Sequence, residues 1–240
     1  TKKGIHMDTY FDANILTGTG LLAPDVNHKK IRAFLQEQIK PVRELMAYYQ
    51  CAMMEVETKF KVLSQELSLE YDRNPIETIK TRLKSMDSIT DKLLDRGFSL
   101  TLENIEQQLN DVAGVRVICG LPSDIYELAD AFLRQDDVRL IMKKDYIATP
   151  KENGYRSLHL IVEIPIFLHD EKKMMKVEVQ LRTISMDWWA SLEHKIRYKK
   201  DIVVEESVAN ELRTCAETAA ALDMRMEQLQ KYISAKAMAE

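Results

Sequence analysis

A chain of 240 residues with 45% hydrophobic and 30% charged side chains holds enough apolar material for a sizeable core under a charged surface. Seven Gly and six Pro argue against a loop-dominated chain, and three Cys without paired spacing argue against a disulfide framework or a Cys-based zinc site and fit a reducing cytoplasm. A formal net charge of -4 gives no general reason to expect nucleic acid as a partner, and no apolar run reaches the roughly 18 residues of a membrane span.

Residues 1–27 mix Gly18, Gly20 and Pro24 with unpatterned apolar residues and predict an irregular lead-in. Thr1–Met7 lack the layout of a secretion signal and are candidates for a vector remnant. From Asn27 to about Leu67, Ile31, Leu35, Ile39, Val42, Leu45 and Met46 recur at helical steps, with Pro41 a candidate break or kink. Asn74-Pro75 reads as a helix start, and Gly97 as the stop of a helix running to about Arg96. On that helix Lys80 and Lys84 would share a face while Arg82 points elsewhere. Thr101–Leu109 predicts a short helix.

The pattern then switches to alternation. Val115–Cys119, Val138–Ile147, Leu158–Phe167 and Met175–Arg182 predict strands, with a helix from Ser123, its expected cap, to about Arg134 between the first two. His169–Lys172 predicts a hairpin turn. Helices follow from Thr183 to about His194 and from about Glu205 to Ser234. The fold class is α+β, a mixed sheet of about four to five strands flanked by helices, with helical extensions at both ends. The expected organisation is a lead-in over 1–27, one domain over 28–200 and a C-terminal helix over 201–240.

Because side chains alternate across a strand, each run sorts into two faces. Glu178, Gln180 and Arg182 oppose Val177, Val179 and Leu181; His159 opposes Leu158 and Leu160; Arg116 opposes Val115 and Val117. One sheet face therefore packs on helices while the other collects Arg116, His159, Glu178, Gln180 and Arg182. The ordinary alternative is a solvated sheet face. Against it, Asp111 joins Glu178 as a second carboxylate, a pair suited to Mg²⁺ beside nucleotide phosphates. Lys151 to Ser157 also sets Lys151, Tyr155 and Arg156 around Gly154, with cations for phosphate oxygens and a flat ring for a base. Lys80, Arg82, Lys84 and Lys92 form a basic set upstream. Asp187, Glu193 and His194 follow the last strand, where Trp188 and Trp189 are expected to pack and His194 to be structural. The Walker loop, the dinucleotide fingerprint and the zinc-protease histidine pair are absent, so phosphates must be held by side chains. His169-Asp170 is a dipeptide of metal phosphohydrolases, but it has no other His close in sequence.

Read in order, Arg82-Leu83-Lys84-Ser85, Asp111-Val112-Ala113-Gly114-Val115-Arg116, Lys143-Lys144-Asp145-Tyr146-Ile147, Gly154-Tyr155-Arg156-Ser157-Leu158-His159, Glu178-Val179-Gln180-Leu181-Arg182-Thr183 and Trp189-Ala190-Ser191-Leu192-Glu193-His194 resemble the synthetase domain of the RelA/SpoT family. The resemblance runs from about Pro75 to Tyr198 and is strongest to the stand-alone small alarmone synthetases, since no hydrolase domain or regulatory region accompanies it. It implies a nucleotidyltransferase-like fold that moves pyrophosphate from ATP to the ribose 3′-hydroxyl of GDP or GTP, making guanosine tetra- or pentaphosphate and AMP.

By resemblance, Arg82 and Arg116 would sandwich the adenine of ATP and Lys84 and Lys92 would neutralise its phosphates. Asp111 and Glu178 would hold Mg²⁺; Tyr155 would stack on guanine; Lys151 and Arg156 would meet the acceptor phosphates; His159 and Gln180 would order the site. Glu178, with Glu193 nearby, would take the 3′-hydroxyl proton. Asp187 stands beside the guanine edge where many relatives carry Asn, and it can accept from guanine N1–H and the exocyclic amine. The resemblance further implies a cytoplasmic homotetramer with no membrane partner. Some relatives bind their product at an allosteric site before Arg82. The aromatic expected near Thr78 and one of the expected lysines, near Glu57, are missing, so product activation is not expected. The competing expectation is a regulatory nucleotide- or RNA-binding module without turnover.

Overall fold

The computed structural model describes residues 28–70, 73–197 and 205–237; the expected lead-in over 1–27 and the boundary at 200/201 lie outside the described residues. In chain order the elements are α1 (His28–Glu70), β1 (Ile76–Leu83), α2 (Met86–Asp95), α3 (Leu102–Gln108), β2 (Ala113–Cys119), α4 (Pro122–Leu133), β3 (Arg139–Asp145), β4 (Leu158–Phe167), β5 (Lys172–Thr183), α5 (Ile184–Arg197) and α6 (Glu206–Ala237). Pro41 lies inside α1, and the chain divides there into two units, Thr1–Pro41 and Val42–Glu240. The sheet lies wholly in the second unit. Among the described residues no helix is long and apolar enough to cross a membrane.

The sheet runs β1-β2-β5-β4-β3. Only β2 and β5 pair in parallel; the β1–β2, β4–β5 and β3–β4 pairs are antiparallel, so the sheet is mixed. The alternation seen in sequence explains which face is dry. Val115, Val117, Leu158, Leu160, Val162, Val177, Val179 and Leu181 are buried, in one core with Tyr49, Val56 and Phe60 of α1 and Ile125, Leu128 and Phe132 of α4. The rings of Phe60 and Phe132 stack at 4.6 Å between centroids. Burying side chains of this size stabilises by about 1.5–3 kcal/mol each, so this face is the main source of stability.

Two expectations are corrected. The helix expected from Asn74-Pro75 to Arg96 is instead strand β1 followed by helix α2. Asn74 Oδ1 accepts from Ile76 N at 2.9 Å, an Asx turn that launches an extended chain rather than a helix cap. Ile76, Thr78, Ile79 and Thr81 are β-branched and pair along β2 from Ile76↔Cys119 to Leu83↔Ala113. The true cap is Ser85, which accepts from Ser88 N at 3.3 Å. On a strand Lys80 and Arg82 share one face, so the expectation that Arg82 points elsewhere also fails. In the second correction Ser123 lies inside α4, which Pro122 opens; Leu121 is its N-cap residue, and Leu121 N donates to Asp124 Oδ2 at 3.0 Å.

Phe132→Ala empties the centre of the dry face. It is expected to lower stability by about 3–5 kcal/mol, seen as a lower urea midpoint with an unchanged slope.

Candidate functional site

The strand registers align polar side chains into rows on the face opposite the core. Lys80 pairs with Arg116, Arg116 with Gln180, Gln180 with His159, and His159 with Lys144, which makes one row across all five strands. The next row holds Arg82, Gly114 and Glu178. Directly paired residues point to the same side of a sheet, so seven of these eight present side chains, and Gly114 a bare backbone, to one surface.

Asp111 reaches this surface from the segment between α3 and β2. Its Oδ2 accepts from Lys84 Nζ at 2.8 Å and Lys92 Nζ at 2.6 Å. Its Oδ1 is buried and has no hydrogen-bond partner among the described residues. Burial pushes this carboxyl up, but the two lysines outweigh it and hold the group below the usual carboxylate range. Glu178 behaves alike. Burial raises it, His159 Nδ1 at 3.3 Å from Oε1 and Gln180 Nε2 at 2.8 Å from Oε2 lower it further, and Asp111 pushes back weakly as a neighbouring anion.

Two neighbouring ionised carboxylates, one with a bare buried oxygen, are a hard-oxygen donor set that fits a divalent cation. A buried anionic oxygen without a donor is costly unless a cation meets it. Among the described residues no group of three or more His, Cys, Asp and Glu gathers as a metal cage. Mg²⁺ suits that sparse supply, because it commonly takes one or two carboxylates and completes its shell with phosphate oxygens and water.

The loop over residues 151–157 folds on itself before β4. Gly154 N donates to Lys151 O at 2.8 Å and Lys151 N to Tyr155 O at 3.2 Å, with Gly154 at φ +88°. A Cβ on Gly154 would sit 2.6 Å from Ala216 Cβ of α6, so this position tolerates no side chain. Lys151 Nζ lies 4.7 Å from the Tyr146 ring and 4.9 Å from the Tyr155 ring. Asn153 Nδ2 donates to Glu193 Oε1 at 3.2 Å, which places Glu193 at this loop. Arg156 donates to Gly154 O at 3.4 Å and lines a crevice with Ser185, Trp189 and Ala216 of α5 and α6, off the polar rows.

Asp187 is buried at 7% exposure and is held by three cations: Lys80 Nζ at 2.9 Å, Arg116 Nη1 at 3.0 Å and Arg182 Nη1 at 3.3 Å. Burial raises its carboxyl and these cations more than offset it, leaving the group below its ordinary value.

Arg182 is the residue that sequence reasoning undervalued. Alternation put it on the polar face, but nothing in the sequence signalled that it would be only 4% exposed. It donates to Tyr155 Oη at 2.5 Å, Gln180 Oε1 at 3.2 Å and Ser157 Oγ at 3.4 Å. Lys144 and Tyr146, both inside a motif read from sequence, also join this face with no role foreseen. His169 and Asp170 are exposed at the hairpin, about 20 Å along the strand from Glu178, and share nothing with the site.

Three comparisons bear on this geometry. Residues 81–203 match the family described as a region found in RelA/SpoT proteins. The chain is 45% identical over 185 residues to the GTP pyrophosphokinase YwaC of Bacillus subtilis (strain 168), covering 77% of this chain and 88% of that protein. Its fold superposes on the crystal structure of small alarmone synthetase 2 from Bacillus subtilis with a TM-score of 0.72 at 43% identity, over 79% of this chain and 98% of that one. Small alarmone synthetase 1 from Bacillus subtilis, in a crystal structure bound to its product pppGpp, gives a TM-score of 0.74 at 32% identity, over 81% and 98%.

Asp111, Glu178 and Asp187 all bind their protons less readily folded than unfolded. Their contribution is complete above the unfolded carboxylate range near about pH 4, and it is lost as pH falls through their lower folded values. Urea midpoints are expected to hold between about pH 5 and pH 8 and to drop below about pH 4, less steeply in Asp187→Asn.

Proposed function

The chain belongs to the RelA/SpoT family, and from that premise we propose that its polar sheet face is the active site of a GTP pyrophosphokinase. The enzyme transfers the β,γ-pyrophosphate of ATP to the ribose 3′-hydroxyl of GDP or GTP and releases AMP. The observation that carries the reading is the buried, partnerless Oδ1 of Asp111 beside Glu178, with Lys84 and Lys92 already gathered around it. A bare anionic oxygen among lysines suits a site awaiting a cation and polyphosphate together.

Asp111 and Glu178 would hold Mg²⁺, which when bound supplies positive charge to the polyphosphate. Lys84 and Lys92 sit on Asp111 Oδ2 in the free chain, and incoming phosphate oxygens offer them stronger partners close by. Arg82 and Arg116 stand diagonally on adjacent strands, with the side-chain-free Gly114 opposite Arg82 and two residues before Arg116, which leaves a floor on which a flat adenine can lie against two guanidinium groups. On the other side Tyr155 offers its ring to guanine and Lys151 serves the acceptor phosphates, whereas Arg156 turns away into the crevice against α6. Both oxygens of Asp187 are engaged by cations, so a guanine edge would share them rather than find them open.

In the reaction the 3′-oxygen bonds to the β-phosphorus as the bond from that phosphorus to the α-phosphate oxygen breaks. Such a transition state is loose and asks chiefly for in-line positioning and charge neutralisation. Glu178 receives the hydroxyl proton in this reading. Its low proton affinity makes it a modest base, which is adequate where little bond formation precedes bond breaking. Glu193, at the acceptor loop, supports that loop through Asn153.

A homotetramer is part of this proposal. Leu222, Met226, Leu229 and Ile233 recur at helical spacing along α6 and are all exposed, an apolar stripe without a partner inside the described chain. A reducing cytoplasm suits Cys51, Cys119 and Cys215, all free.

With Mg²⁺, ATP and GDP or GTP, anion-exchange chromatography should show AMP rising in step with a more highly charged guanosine nucleotide. Glu178→Gln should cut that rate by about 10²–10³-fold or more without unfolding the protein. Tight guanine-nucleotide binding with no AMP would instead mark a regulatory module. Light scattering at micromolar protein should give the mass of four chains, and a monomer would remove the oligomer from the proposal.

A further inference from the structure

We propose that Arg182 is a positioning residue whose guanidinium dictates, through two converging hydrogen-bond branches, how both oxygens of Glu178 are held. A guanidinium can only donate, whereas a phenol, an imidazole and a carboxamide can each be arranged in two ways.

In the first branch Arg182 Nη2 lies 2.5 Å from Tyr155 Oη, so that oxygen accepts. The tyrosine's own hydrogen is then free to point along its other short contact, His159 Nε2 at 2.8 Å. Nε2 thus accepts, and the ring hydrogen belongs on Nδ1, which faces Glu178 Oε1 at 3.3 Å. Were Nε2 to donate instead, Tyr155 Oη would accept twice and its own hydrogen would find no acceptor among its contacts in the described residues, since Arg182 can only donate.

In the second branch Arg182 Nη2 lies 3.2 Å from Gln180 Oε1, and Arg116 Nε lies 3.4 Å from the same oxygen. Two obligate donors fix which end of the carboxamide is oxygen. Its amide nitrogen must therefore face Glu178, where Nε2 donates to Oε2 at 2.8 Å.

The hub itself is locked. Arg182 is buried, Asp187 holds Nη1 and Ser157 Oγ accepts from Nε. The guanidinium also lies 5.0 Å from the centre of the Tyr155 ring. The ring expected to meet the acceptor base and the carboxylate expected to meet its hydroxyl are thereby set by one buried side chain. Only the role of Glu178 in turnover rests on the function proposed above; the hydrogen-bond directions do not.

Two variants separate these claims. Tyr155→Phe keeps the ring and removes the hydroxyl, and Arg182→Lys keeps the charge but loses the planar fork whose Nε and Nη1 anchor it on Ser157 and Asp187 while Nη2 reaches both branches. Nitrogen-15 NMR of the free wild-type protein should show the His159 hydrogen on Nδ1, and both variants should lose that preference. This readout needs no turnover, so it stands or falls independently of whether the chain makes AMP. In kinetics each variant should lower kcat by about tenfold or more, with the KM for ATP within about twofold. Because both act through one chain, the double variant should be no slower than about the worse single one. A wild-type hydrogen on Nε2, or losses that multiply in the double variant, would overturn the proposal.

Discussion

A carboxylate taken out of water must be met by donors or cations, and the polar face of this sheet is organised by that requirement. Asp187 is met by Lys80, Arg116 and Arg182, Asp111 by Lys84 and Lys92, and Glu178 by His159 and Gln180. Each set draws on different elements, so satisfying the three anions ties β1, β2, β4, β5, α2 and α5 to one surface. The dry face supplies the stability that lets this charged face exist. Without the packing of Val117, Val179 and Leu160 on α1 and α4, nothing would offset the desolvation of so many charges.

The arrangement also explains why the cations are numerous without the protein being basic. The formal net charge is -4, yet lysines and arginines converge on this surface. In the free chain they neutralise the chain's own carboxylates, which keeps them ordered and prevents a field of bare like charges. In the proposed site a polyphosphate would compete for cations already in place, so little side-chain ordering would remain to be done when it arrives. Asp111 is the exception that gives direction, because one of its oxygens has no donor among the described residues.

Much of this was legible in sequence because it depends on alternation. Glu178, Gln180 and Arg182 had to share a face once Val177, Val179 and Leu181 were recognised as core, and the registers bear that out. What sequence could not convey was context. Asn74-Pro75 carries the same local signal whether a helix or an Asx turn follows, and only pairing with β2 decides for the strand. That misreading separated Arg82 from Lys80, although a strand sets them side by side. Arg182 and Asp187 were visible as charges, but their mutual burial arises from α5 folding back over the sheet, a long-range fact that no local pattern carries. Arg156 reads as a companion of Tyr155 in sequence; alternation sends it to the opposite side, towards α6.

The close approach of Gly154 to Ala216 works in both directions. Position 216 must stay no larger than Ala, because the space that a Cβ on the loop lacks is the space that Ala216 fills. Seven residues further on, Asp223 accepts from Thr183 and Ser185, both at 2.6 Å. Seven residues are nearly two full turns, so both contacts fall on one stripe of α6. The helix is therefore keyed like a shaft in a slot. It can slide or lift only by breaking both contacts, and a twist of one residue, about 100°, would drive a larger side chain into the loop that carries Tyr155.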